Sequence, residues 1–125
     1  MERDFQDYKK RKLSQSSSGL GILVPGTALA SRVWLHIATP SAAANEWDEV
    51  FLYATNPTAN SAKLTLLWGW TNDWDKIILT IPAQSGLVTV VPGLLLQNNA
   101  EVSAWADTAN AITIHGYVHR YELTP

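Results

Sequence analysis

The chain contains no cysteine, which removes disulfides, zinc-thiolate sites and thiol nucleophiles together. Its compartment stays open, because a well-packed fold needs no such staples anywhere. Positive charge is scarce beyond the first residues. Arg3, Lys9, Lys10, Arg11 and Lys12 give five basic groups against three acids (Glu2, Asp4, Asp7) in residues 1–20, whereas the remainder carries four bases against eight acids. A body so poor in Lys and Arg offers no duplex-binding face, and no nucleic-acid partner is expected. Long apolar runs are also missing. None approaches the roughly 20 residues that a membrane span requires, and the charged amino terminus is not followed by the apolar stretch of a signal peptide, so a soluble, unexported chain without a membrane partner is expected. Helical periodicity over ten or more residues is absent outside the amino-terminal segment, which excludes an α/β domain.

What is present is a succession of short strands. Residues 76–81, 86–91, 100–107 and 111–121 are rich in Val, Ile, Leu, Thr and Tyr and are separated by Pro, Gly or Asn. Upstream, 32–38 alternates Val33, Leu35 and Ile37 against Trp34 and His36, the period of a half-buried strand. Residues 50–55 are apolar on both faces, so this strand should be central and covered on both sides. Residues 63–70 and 76–81, joined by 71–75, fit an antiparallel hairpin. Pro92-Gly93 should end the strand over 87–91. Seven or eight strands with frequent turns in 125 residues predict an all-β fold, an antiparallel β-sandwich or jelly roll. The expected core is Val33, Leu35, Leu52, Leu66, Ile77, Leu79, Val90, Val102, Ile112 and Ile114.

The expected organisation is a flexible basic arm with a Ser-rich linker over 1–19 and one sandwich domain over 20–125. Phe5 and Tyr8, three residues apart, are compatible with one helical turn, and Ser14 to Gly19 has linker composition, which uncouples the arm mechanically. Such a segment earns its ordering entropy only on a partner. Phe5, Tyr8, Lys9, Lys10, Arg11, Lys12 and Leu13 are therefore the candidate partner-binding residues of the arm, against the plainer alternative of a solvated tail. Deletion of 1–19 is expected to leave stability unchanged. Residues 20–24 read as an edge strand or extended arm.

No constellation in the sequence points to catalysis, and a non-enzymatic protein without a cofactor or metal is expected. His115 and His119 lie on one strand with Cα atoms roughly 13 Å apart at about 3.3 Å per residue, too far to hold one metal ion. No Gly-x-Ser-x-Gly elbow is present. The acids Glu46, Asp48 and Glu49, and then Asp73 and Asp75, do not match the spacing of an EF-hand loop and read as solvated loop residues. The six tryptophans are the most unusual feature of the composition. Trp68, Trp70 and Trp74 would make a sugar-stacking platform if exposed, or core and interface if buried. The final strand sets His115, Tyr117, His119 and Tyr121 on a polar-aromatic face, a candidate oligomer interface.

The runs Tyr53-Ala-Thr-Asn-Pro57, Ala62-Lys-Leu-Thr-Leu-Leu-Trp-Gly69, Ile81-Pro-Ala-Gln-Ser-Gly-Leu-Val-Thr-Val-Val-Pro-Gly93 and Ala111-Ile-Thr-Ile-His-Gly-Tyr-Val118 give a texture of strands and turns. Over residues 32–121 this texture resembles small β-sandwich virion proteins of tailed bacteriophages, among them those that decorate or cement the head. The resemblance implies a structural protein made in the host cytoplasm and carried on the capsid surface of the virion. It implies a homotrimer whose partner is the major capsid protein or another virion subunit. A tail or neck component of similar fold, and a carbohydrate-binding module, are the alternatives.

Overall fold

The computed structural model describes residues 6–41 and 45–123. Nine strands follow one another: β1 (Gln6–Lys12), β2 (Ile22–Val24), β3 (Val33–Ile37), β4 (Glu46–Thr55), β5 (Ala62–Gly69), β6 (Lys76–Ile81), β7 (Val88–Leu96), β8 (Glu101–Ala106) and β9 (Ile112–Leu123). The turns between them use residues that tolerate left-handed backbone. Asn98 and Asn99 both sit at φ 60° before β8, and Asn110 sits at φ 59° before β9; a short amide side chain lowers the cost of that region.

All pairs are antiparallel, and they nest. β5 pairs with β6, β4 with β7, β3 with β8 and β2 with β9, as in a long ribbon doubled back at the β5–β6 hairpin. Lateral pairing of β4 with β9 and of β5 with β8 then splits the ribbon into two sheets. Sheet A runs β1-β9-β4-β7, with β2 sharing β9 beside β1; sheet B runs β3-β8-β5-β6. This is the strand order of a jelly roll, so the all-β sandwich expected from the sequence is the fold.

The core lies between the sheets. Leu35, Leu64, Leu66 and Val102 of sheet B meet Val50, Leu52, Ile112, Ile114 and Val118 of sheet A, all fully buried. Leu35, Leu52, Leu66, Val102, Ile112 and Ile114 are thus core residues as expected. Val33, Ile77, Leu79 and Val90 pack against the core but are only partly buried, because β3, β6 and β7 are edge strands with a neighbour on one side alone.

Three expectations about the amino-terminal segment are overturned. Within the segment expected to be a flexible arm with a helical turn, Gln6–Lys12 is strand β1, paired with β9 from Gln6↔Leu123 to Lys12↔Tyr117. Leu13 after it is 1% exposed and belongs to the core. The Ser-rich stretch is not an uncoupled linker, because its serines satisfy backbone groups: Ile37 N–H donates to Ser14 Oγ at 2.7 Å, and Ser16 Oγ–H donates to the Leu20 carbonyl at 2.8 Å. Phe5 lies outside the described residues.

β3 does not alternate through its length, because its register with β8 shifts between Trp34 and His36. The bulge accommodates one extra residue. It turns His36 inward, where it is 1% exposed, and leaves Ile37 outside at 37%. Pro92-Gly93 does not end β7. Pro92 is tolerated because β7 is the edge of sheet A, and the register shift between Val50 and Phe51 of β4 absorbs Gly93 at φ 113°.

Candidate functional site

β4 begins at Glu46, so Glu46, Asp48 and Glu49 are strand residues and not loop acids. Alternation sends Asp48 inward with Val50, Leu52 and Ala54, all buried, and sends Trp47, Glu49, Phe51 and Tyr53 outward. Asp48 is fully buried yet completely satisfied. Its Oδ1 accepts Arg120 Nε–H at 2.7 Å; its Oδ2 accepts His36 Nε2–H at 2.8 Å, Arg120 Nη2–H at 3.1 Å and the Thr39 N–H at 3.1 Å. The Ser14 N–H donates to His36 Nδ1 at 3.0 Å, which leaves the imidazole proton on Nε2, facing the carboxylate.

Burial alone would raise the Asp48 pKa, but the hydrogen bonds from His36 and Arg120 and the Arg120 charge outweigh it and lower it to about 2. Both nitrogens of the imidazole and both oxygens of the carboxylate are engaged. The cluster therefore ties β3 of sheet B to β4 and β9 of sheet A and to the segment after β1.

The outward faces of β1, β9 and β4 carry the most distinctive surface. Register sets Tyr8 beside Tyr121 and Tyr121 beside Trp47, and the rings stack with centroids 5.2 Å and 5.6 Å apart. Two rows further along, beyond Glu49 and His119, Phe51 stacks on Tyr117 at 4.9 Å, and Tyr117 faces Tyr53 at 6.4 Å. His119 joins the rows, 4.7 Å from Tyr8 and 5.1 Å from Phe51. Lys10 Nζ lies over the Tyr117 ring at 4.7 Å. Tyr121 donates its hydroxyl hydrogen to Glu49 Oε1 at 3.0 Å; burial and this bond to a carboxylate push its pKa up. Tyr53 is pushed up as well, chiefly by hydrogen bonding with Tyr117.

No family model, curated protein or solved structure matches the chain. The site is therefore described by its own geometry.

The structure brings together two groups of candidate residues that the sequence keeps apart. Tyr8 and Lys10 of the arm group sit on the same outer face as Tyr117, His119 and Tyr121 of the carboxyl-terminal group. Lys9, Arg11 and Lys12 are exposed on β1, whereas Leu13 is buried and offers nothing to a partner. His115 is half-buried beside Gly21, where a Cβ would stand 2.7 Å from its Cε1.

The tryptophan group separates. Trp68 points into the sandwich against the core, while Trp70 and Trp74, 50% and 80% exposed, lie at the β5–β6 hairpin. Sequence reasoning missed Trp47, Glu49, Phe51 and Tyr53. β4 is central, as expected, but among the described residues its outer face is covered by side chains of its own sheet, chiefly aromatic ones. The available signal was the matched alternation of aromatics in β4 and β9.

Two clefts flank these features. One, of about 260 Å³, opens on the outer face of sheet A and is lined by Trp47, Glu49, Gly93, Leu95 and Tyr121. The other, of about 330 Å³, is lined by Thr55, Asn56, Pro57, Gln84 and Gly86. Its buried amide is occupied structurally: Asn56 Nδ2 donates to the Asn60 and Ile81 carbonyls, and Oδ1 accepts from the Thr58 N–H and hydroxyl.

Proposed function

We propose that this chain is a structural subunit of a larger protein assembly, docking through the outer face of sheet A. In its specific form the proposal is a head-decoration protein of a tailed-phage virion, held on the assembled major capsid protein and present there as a homotrimer. The observation that carries the docking reading is the continuous aromatic surface of Tyr8, Tyr121, Trp47, Phe51, Tyr117 and Tyr53 across three strands. Tyr8 is exposed and the other five rings are half-buried among one another; contiguous aromatic surface that still reaches water marks interaction sites, and Tyr and Trp are enriched where binding energy concentrates. The phage assignment itself is supported by the resemblance in sequence texture. Jelly rolls serve both capsid and lectin proteins, so the fold alone does not choose between them.

The test is co-sedimentation with undecorated capsids at low and high salt, using the parent chain and the double variant Tyr8→Ala, Lys10→Glu. Tyr8 is 52% exposed and Lys10 is also on the surface, so the fold should survive the changes. The variant should bind more weakly, and the Lys10 contribution should fade at high salt. Equal binding would exclude this face as the dock. No binding by the parent would reject decoration and favour a tail or neck role. Light scattering of free and capsid-released protein checks the trimer, which a monomer in both samples would refute.

A carbohydrate-binding function is the second reading, and the exposure of Trp70 and Trp74 favours it. A glycan array with parent, Trp70→Ala and Trp74→Ala proteins tests it. Hits lost in both variants would support it, and an empty array would remove it.

A further inference from the structure

The cleft on sheet A has a chemistry that the docking reading does not use. Its polar group is Glu49, whose side chain is 34% exposed. Glu49 Oε1 is engaged by the Tyr121 hydroxyl at 3.0 Å and lies 3.7 Å from His119 Nδ1. The other oxygen, Oε2, accepts no hydrogen bond from any described residue. Gly93 keeps that oxygen open, since a Cβ there would stand 3.1 Å from Oε2 and 3.1 Å from the Phe51 ring. The remaining lining is aromatic and aliphatic: Trp47 and Tyr121, locked in their mutual stack, and Leu95 at 53% exposure.

Tyr121 is sandwiched between Tyr8 and Trp47, so the ring open to a ligand is that of Trp47, and a fixed anionic oxygen beside a Trp ring selects a cation. It favours a flat one carried on an alkyl stem, because a guanidinium stacks on aromatic rings while donating N–H to a carboxylate, and its methylenes can lie against Leu95. We propose that this cleft is a binding site for the guanidinium of an arginine side chain presented by a partner protein. The Glu49–Tyr121 bond is the positioning element, since it holds Oε1 and so aims Oε2. The assignment stands on the cleft and not on the identity of any assembly. Failure of capsid binding and failure of arginine binding are therefore separate results.

The probe is N-acetyl-arginine N-methylamide, titrated into the isotopically labelled full chain and followed by amide and indole NMR shifts. N-acetyl-citrulline N-methylamide, of nearly the same shape and uncharged, is the control. The arginine amide should move the Trp47 indole, Gly93 and Leu95 signals and bind at least about tenfold more tightly than the citrulline amide, the ratio that corresponds to 1.4 kcal/mol. Glu49→Gln should erase that preference. As Glu49 also holds Tyr121, a second variant leaves its network intact: Leu95→Lys, at an exposed position, puts an ammonium of the chain's own at the cleft and should abolish the shifts with Tm unchanged. Equal responses to the two amides, shifts centred elsewhere, or arginine binding that survives both substitutions would overturn the assignment.

Discussion

Leu13→Ala tests whether the amino-terminal strand belongs to the folded unit. Composition alone places residue 13 just before a Ser-rich linker and predicts that its truncation costs nothing. In the structure Leu13 is 1% exposed and packed in the common core. The backbone on either side of it is held, by β1 pairing before it and after it by the Ser14 N–H on His36 Nδ1. A buried Leu cut to Ala loses its transfer free energy and leaves a cavity, about 2 to 5 kcal/mol together.

The site can collapse only partly, since the backbone on both sides of it is held, so a value of about 3 kcal/mol is expected. Against a total stability of about 5 to 15 kcal/mol this is a large fraction, visible as a lower urea midpoint at unchanged slope. Deletion of residues 1–12 and deletion of residues 1–16 extend the test. The longer deletion should cost more, since it also removes Leu13 and strips His36 Nδ1 and the Ile37 N–H of their partners. Identical denaturation curves for the parent, Leu13→Ala and the longer deletion would refute the reasoning and restore the uncoupled arm.

Asp48 should make stability acid-sensitive. Its pKa falls from the ordinary 3.8 to about 2 on folding, so its contribution of about 2 kcal/mol is full above the unfolded value and disappears as pH drops through the folded one. Urea midpoints between pH 5 and pH 2 should show this loss, and the acid limb should flatten in Asp48→Asn; parallel limbs would contradict it. Trp68→Ala should cost about 3 kcal/mol as a core-packed aromatic, whereas Trp70→Ala should stay within about 0.5 kcal/mol; thermal melts that reversed this order would mean the two side chains had been placed on the wrong sides of the sheet. Gly116→Ala should destabilise by about 3 kcal/mol or more as an overpacked site, because a Cβ at Gly116 would stand 2.2 Å from the Phe51 carbonyl oxygen. An unchanged melting temperature would count against the β4–β9 register.

The two-sheet fold was legible because its signals are local. The alternation in β8 and β9 fixed Val102, Ile112 and Ile114 as interior and the His and Tyr side chains of β9 as exterior. What was not legible depends on pairing across long separations. The bulge in β3 arises from its register with β8, some 67 residues away in the Trp34 Nε1–H to Glu101 Oε1 bond, and no period-2 reading of 32–38 contains it. Asp48 looked like a solvated loop acid because Asp and Glu are depleted in strands. Its burial makes sense only with Arg120, 72 residues on. Ser14 and Ser16 have linker composition, but a serine hydroxyl that bonds nearby backbone orders a chain as effectively as it solvates one. Pro92 reads as a terminator only if the strand is assumed to be central.

The aromatic face raises a question of energetics whose answer bears on function. Each aromatic pair contributes about 0.5 to 1.5 kcal/mol beyond area burial, so the stacks on sheet A stabilise the sheet even without a partner. Stability alone, however, does not account for their composition. A solvated face can be stabilised at no aggregation risk by Thr and charged cross-strand pairs, and β1 carries charged groups on this face in Lys10 and Lys12. The rings instead occupy β9 and β4, the two strands that have neighbours on both sides within the sheet. Their stacking fixes them in one geometry before any encounter, which lowers the ordering cost of binding. Tyr8, at the open edge, is half-exposed and contacts both Tyr121 and His119, so β1 completes the surface as well as the sheet. The same strand that Leu13 anchors in the core therefore delivers one wall of the candidate docking face, and the folding and binding roles of the amino-terminal segment separate by side chain: Leu13 serves the fold, while Tyr8 and Lys10 serve the surface.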